Sequence, residues 1–231
     1  MNFLFFDLDD TVFDFKKAEK IALGKTLSAF GIDPTEAVVS RYSAINQGLW
    51  ERLEKGEITR EEVKIGRFAL LFEELGFDAD PRAVTMLYQE NLSHGHSYTE
   101  GAEETIQDLA KHFILSLVSN GTSSVQRGRL KDASITPCFS HIFLSEELGA
   151  EKPSPLFFER AFAAIKGFDR EKALIIGDSL TSDILGGINA NIKTCWFNPE
   201  GKQAKSIRPD YTVSSWKELY SVLEQCFAKG K

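Results

Sequence analysis

The chain is poor in several things at once. Its 231 residues include only three cysteines, Cys138, Cys195 and Cys226, widely separated and in no C-x-x-C pair. Such spacing supplies neither a disulfide framework nor a thiolate zinc site, so a reducing cytoplasm is the expected setting. No stretch approaches the roughly 18 apolar residues of a membrane span, and no basic leader precedes an apolar core at the amino terminus. A soluble, unprocessed protein with no membrane partner is expected. Runs of Lys or Arg are missing too: 27 basic residues face 34 acidic ones, for a net charge of -7. That excludes a broad basic footprint and argues against a nucleic acid polymer as partner. Any anionic ligand must be gripped locally.

What is present is a well-supplied core, with 42% hydrophobic residues, enough for one large domain or two unequal ones. The opening MNFLFFDLDDTVFD sets the problem. Asn2 to Phe6 reads as a strand buried on both faces, yet it ends in three carboxylates, Asp7, Asp9 and Asp10. The carboxyl edge of an open parallel sheet is where ligands bind, and crowding charge there without a cation is costly. From Lys16 to about Gly95 the pattern is helical, broken at GIDP, EKGE and GFDADP. The clearest helix starts at Thr59, where TREE forms a capping box with Glu62. Beyond this insert strands and helices alternate: FILSLVSNG, HIFLS, ALIIGDS, TCWFN and YTVSS read as strands, with PLFFERAFAAIKG, TSDILGGINA and WKELYSVLEQCF as helices. The alternation predicts an α/β fold, a Rossmann-like parallel sheet with helices on both faces and an inserted all-helical cap. The expected division is a core of residues 1–15 and 96–231, with a cap of residues 16–95.

Polar groups end four of these strands. Asp7 and Asp9 follow the first, Ser119 and Asn120 the second, Lys152 lies in GAEKPSP, and Asp178 and Asp183 lie in IIGDSLTSD. If the strands are neighbours, these groups share one crevice: several carboxylates, a hydroxyl and an ammonium. Oxygen ligands in small number favour Mg²⁺ shared with a substrate phosphate. A carboxylate attacks a phosphate dianion only when a cation relieves their repulsion, and a second carboxylate two positions on can give and later take a proton. Asp10 and Asp14 read instead as turn formers.

In this order DLDDT, VSNG, EKP and GDSLTSD resemble the four motifs of the haloacid dehalogenase-like hydrolases, and the helical insert resembles that superfamily's first type of cap. The resemblance implies Asp7 as nucleophile forming an aspartyl-phosphate, and Asp9 as the acid, then base, of the two half-reactions. It implies Ser119, with amides around Asn120 and Gly121, as the phosphoryl grip, and Lys152 as countercharge. Asp7, the Asp9 carbonyl and Asp178 would hold Mg²⁺, with Asp183 either a ligand or an acceptor outside the ligand shell. Superfamily dehalogenases generally lack the second aspartate, so Asp9 favours phosphoryl transfer. GLWERLEKGEIT with GRF, and SDILGGINANIKTCWFN, resemble the branch that contains pyrimidine 5'-nucleotidases. The implied partner is a small phosphorylated metabolite, a nucleoside monophosphate first and a sugar phosphate as the alternative. Phe13, Phe15, Trp50 and Arg67 are candidates for a base and sugar site, since aromatic faces stack on bases and guanidinium groups bond carbonyl edges. Ordinary packing inside a cap is the other role open to the aromatics. A non-catalytic binding module is disfavoured by the intact set of motifs.

Overall fold

Side chains alternate across a strand, and that alternation explains why FLFF is apolar throughout. In the computed structural model, which describes residues 1–204 and 206–228, Phe3 and Phe5 pack into one apolar cluster with Phe157, Phe158 and Ile175. Leu4 and Phe6 pack into another with Ile106, Leu117 and Trp216. The strand that carries them, β1 (Phe3–Phe6), lies inside a parallel sheet with β2 (Ile114–Ser119), β3 (Phe139–Leu144), β4 (Ala173–Gly177), β5 (Lys193–Phe197) and β6 (Tyr211–Val213). The order is β3-β2-β1-β4-β5-β6. The chain winds outward from β1 in both directions, so the strand order reverses beside it. That is the switch point at which open α/β sheets bind ligands.

Ten α-helices complete the described residues. Four, α1 (Phe15–Ala29), α2 (Glu36–Glu54), α3 (Arg60–Leu75) and α4 (Pro81–Leu92), form the insert. Their ends follow local chemistry: Thr59 and Glu62 make the capping box of α3, and Gly76 closes it with φ +72. Asp80 caps α4 ahead of Pro81. Leu23, Leu27, Tyr42, Phe68, Leu71 and Tyr88 form this unit's own core. The remaining helices are α5 (Ala102–Leu109), α6 (Ser123–Lys131), α7 (Ser145–Leu148), α8 (Pro155–Ala163), α9 (Leu185–Asn189) and α10 (Trp216–Cys226). Contacts divide the chain into residues 1–14, 96–123 and 130–231 as one unit and residues 15–95 with 124–129 as the other. No helix among the described residues is long and apolar enough to cross a membrane.

The register fixes which residues come level at the carboxyl edge of the sheet. Phe6 pairs with Leu117 on one side and Ile176 on the other, so Asp7, Val118 and Gly177 sit level at the next step. Asp7 N–H still donates to the Ile176 carbonyl, 2.9 Å. After Gly177 the chain does not enter an α-helix directly. A wide turn spans Leu180–Ile184, in which Ile184 N–H reaches back to the Ser179 carbonyl at 3.1 Å.

Candidate active site

Lys152 is the hub. Its ammonium is 1% exposed and donates three hydrogen bonds: to Asp7 Oδ1 at 2.7 Å, Asp183 Oδ1 at 2.7 Å and the Val118 carbonyl at 2.9 Å. Three donors meet three acceptors, so the group is both satisfied and fixed in direction. Asn120 fixes the backbone of the same residue. Its Nδ2 donates to the Lys152 carbonyl at 2.8 Å, and its Oδ1 accepts from Lys152 N–H at 2.9 Å. Asn120 Nδ2 also approaches Ser182 Oγ at 3.3 Å. Its place beside Ser119 suggested only a backbone contribution; the clasp on Lys152, distant in sequence, is a role that no local pattern signals.

Asp183 is buried as deeply as Lys152. Besides meeting the ammonium, its carboxylate accepts from Ser179 N–H at 3.1 Å through Oδ2. Gly177 makes room for it: a Cβ there would stand 2.3 Å from Asp183 Oδ2, so the glycine is set by close approach and not by turn geometry. Asp178 is half-buried, and its carbonyl is held by the Trp196 indole at 2.7 Å. Ser119 is buried and accepts Gly121 N–H at 3.0 Å through its hydroxyl. Asp9 is half-buried in the turn that follows β1, where residues 9 and 13 form a short bridge. Asp10 adopts a left-handed φ of +56 in the same turn and donates N–H to the Phe13 carbonyl at 2.7 Å. A turn former is what the sequence suggested for Asp10; its charge also reaches Asp178.

Carboxylate oxygens of Asp7, Asp178 and Asp183 lie within 4.8 Å of one another. Burial, then the charge of Asp183, pushes Asp7 up to about 8 although Lys152 pulls it down. Burial, followed by the charges of Asp7, Asp183 and Asp10, holds Asp178 well above the usual carboxylate range. Burial pulls the Lys152 ammonium down, but Asp183 and Asp7 outweigh it and keep the group above its ordinary value. Three carboxylates against one ammonium leave an excess of negative charge, and the donors are all oxygen. That set suits a small hard divalent cation and not a soft metal.

Of the four residues suggested for a base and sugar, one lies in the sheet-bearing unit and three in the helical unit. Phe13 is fully buried, 5.4 Å from the Tyr98 ring in the sheet-bearing unit. In the helical unit Phe15 lies 5.8 Å beneath the Arg129 guanidinium, and half-buried Trp50 lies 5.5 Å beneath that of Arg60. Arg67 is buried, lies over the Tyr88 ring of α4 at 4.6 Å and donates to Asn46 Oδ1 of α2 at 3.3 Å.

A buried lysine bridges the aspartates of two neighbouring strand ends, and a helical insert follows β1 in the chain. The haloacid dehalogenase-like hydrolase family model matches residues 4–197, and the chain belongs to that family. HAD-hydrolase YfnB of Bacillus subtilis is 42% identical over 221 residues, covering 95% of this chain and 94% of that one. The crystal structure of YfnB bound to magnesium has a TM-score of 0.93 at 41% identity, covering 96% of this chain and 98% of that one. Pyrimidine 5'-nucleotidase PynA of Streptococcus pneumoniae is 37% identical over 225 residues, 96% of this chain and 95% of its own. Pyrimidine 5'-nucleotidase YjjG of Escherichia coli is 30% identical over 223 residues, 96% and 97%.

Proposed function

We propose that this phosphoric monoester hydrolase is a 5'-nucleotidase that acts on pyrimidine nucleoside monophosphates in the cytoplasm. The observation that carries the chemistry is the Lys152 ammonium 2.7 Å from Asp7 Oδ1, which draws charge from the carboxylate that must approach a phosphate dianion. Likeness to PynA and YjjG over nearly the whole chain carries the substrate class.

An Asp7 oxygen attacks phosphorus, forming an acyl phosphate as the bond to the nucleoside 5'-oxygen breaks. Asp9 gives that oxygen its proton. Asp9 then takes a proton from water, the hydroxide attacks the same phosphorus, and the bond to Asp7 breaks to release inorganic phosphate and the free carboxylate. Ser119 and the amides at Asn120 and Gly121 grip the phosphoryl oxygens, and Lys152 offsets their charge. Asp7, Asp178 and the Asp9 carbonyl would hold Mg²⁺, which would supply countercharge to the phosphoryl group. Both Asp183 oxygens are engaged by Lys152 and Ser179, which supports a place for Asp183 outside the ligand shell, orienting the lysine. For the nucleoside we assign Phe15, Trp50 and Arg67 of the helical unit.

The test is release of inorganic phosphate, with Mg²⁺, across nucleoside 5'-monophosphates, ribose 5-phosphate and hexose phosphates. UMP and dTMP should have the highest kcat/KM. A hexose phosphate outranking every nucleotide would reject the substrate assignment and leave the chemistry at Asp7 and Asp9 standing.

A further inference from the structure

The three clustered carboxylates are not held alike. Asp7 Oδ1 accepts from Lys152, and Asp183 is engaged through both oxygens, by Lys152 and by Ser179 N–H. Among the described residues no group donates a hydrogen bond to the Asp178 carboxylate. Asp178 is half-buried where the other two are buried, and their oxygens lie within 4.8 Å of its own. Like charges so close repel, and nothing bonded to the side chain resists the push. Where the Asp178 carboxylate points is therefore decided by its backbone.

That backbone is gripped from the neighbouring strand. Trp196 of β5 pairs in register with Gly177 of β4, one residue before Asp178. Cys195 and Phe197, on either side of it in the chain, pack into the cluster around Leu4 and Phe6, so Trp196 takes the opposite face of the sheet. It is 4% exposed, and its indole Nε1–H donates to the Asp178 carbonyl at 2.7 Å. A buried indole N–H needs an acceptor, and many carbonyls would serve. This one belongs to the residue of the cluster whose carboxylate has no bond of its own. The donor is also rigidly mounted, since β5 is paired with β4 on one side and β6 on the other.

We propose that Trp196 is a positioning residue for the divalent cation: by holding the Asp178 backbone from β5, it keeps the carboxylate aimed against the repulsion of Asp7 and Asp183. The inference rests on the reading above that Asp178 holds Mg²⁺. Trp196 acts only through Asp178. A ligand aimed in advance lowers the reorganisation that binding requires, so loss of the indole bond weakens metal affinity and spares the rate of the metal-loaded enzyme. Coupling of this kind is reciprocal, and bound Mg²⁺ in turn holds the indole bond more firmly.

The experiment compares the full chain as wild type, Trp196→Phe and Trp216→Phe. Trp216 is the control: it is 2% exposed in the same unit and its indole also donates, to Thr99 Oγ1 at 3.0 Å, away from the clustered carboxylates. Calorimetric titration with Mg²⁺ alone should give a dissociation constant roughly ten-fold or more higher in Trp196→Phe, and the wild-type value in Trp216→Phe. Hydrolysis of p-nitrophenyl phosphate by Trp196→Phe should need correspondingly more Mg²⁺ and regain wild-type kcat when the metal is saturating. A wild-type constant in folded Trp196→Phe, or an equal loss in Trp216→Phe, overturns the proposal. If Trp196→Phe does not fold, wild type decides: saturating Mg²⁺ should slow solvent exchange of the Trp196 indole proton by a larger factor than that of Trp216, and equal slowing overturns the proposal as well. Failure of wild type to bind Mg²⁺, with full turnover after EDTA, removes the metal reading itself and the proposal with it, and that is read without any variant.

Discussion

Replacing Lys152 with methionine keeps the length of the side chain and removes its charge. In the metal-free protein Asp183, 1% exposed, then loses the ammonium 2.7 Å away, and the Val118 carbonyl loses its donor. Breaking one side of a buried ion pair costs about 3–5 kcal/mol. For a chain of this size each kcal/mol moves Tm by about 2–4 °C, so the variant should melt roughly 6–20 °C lower near pH 7. The pH dependence has a definite sign. Asp7 stands at about 8 with Lys152 present, and Lys152 is one of the influences lowering it, so Asp7 in the variant stands higher still. A carboxyl group raised by folding keeps its proton in the folded state after the unfolded chain has lost it, and stability falls as pH rises until the folded group ionises. The loss contributed by Asp7 stops growing near pH 8 in wild type, whereas in the variant it continues, by about 1.4 kcal/mol for each unit that Asp7 is raised further. The Lys152 ammonium is itself held above its ordinary value, so it remains charged throughout this range. Denaturant unfolding in EDTA at pH 7 and pH 9.5 measures both effects. A penalty below about 1 kcal/mol at pH 7 would mean that the pair contributes no more than an exposed one, and a penalty that shrinks at pH 9.5 would contradict the assigned sign.

Asp7→Asn removes a carboxylate whose ionisation the fold resists, so the metal-free variant should match or exceed wild type in stability at pH 9 while phosphatase turnover falls by about a thousand-fold or more; near-normal turnover would remove Asp7 as nucleophile. Mg²⁺ at a hundred times its dissociation constant should stabilise the chain by about 2.7 kcal/mol, a rise of roughly 5–11 °C in a thermal melt. Ca²⁺, which prefers more ligands at longer distances, should do less. Gly177→Ala places a methyl group 2.3 Å from Asp183 Oδ2, and should cost about 1–3 kcal/mol by overpacking. Activity should drop further than that stability loss accounts for, because Asp183 is displaced from Lys152; a fully active Gly177→Ala protein would show that the Asp183 position is not critical.

Much of this was legible in the sequence because the sheet is buried on both faces. FLFF and ALIIG are unbroken apolar runs, and each is followed by a carboxylate at the carboxyl edge of the sheet. Local signals also set α3, whose capping box from Thr59 to Glu62 forms as read. TSDILGGINA reads as a helix and is one, a wide π-type turn over Leu180–Ile184 running into the α-helix Leu185–Asn189; what local sequence did not signal is that Asp183 in that wide turn meets a lysine from another part of the chain. Arg67 shares an i, i+4, i+8 stripe with Val63 and Leu71 on the buried face of α3. Helical spacing put it inside and its charge argued for outside. Asn46 and Glu19, supplied by two other helices, decide the matter, and no window of local sequence contains all three.

Both partners of strand β1 lie later in the chain, so β1 is synthesised before either of them. Phe3 of β1 is matched by Ile114 on one side and Ala173 on the other, so β1 must stay unpaired while the residues between are made. The helical insert, with its own apolar core, is complete before either partner strand exists, and domains tend to fold as units in the order of synthesis. Loop closure over such separations slows pairing more than it weakens it. FLFF is meanwhile a short, uncharged, β-prone segment, the kind that adds to foreign strand edges. Asp7, Asp9 and Asp10 follow immediately, and three carboxylates at its end guard the nascent segment against aggregation.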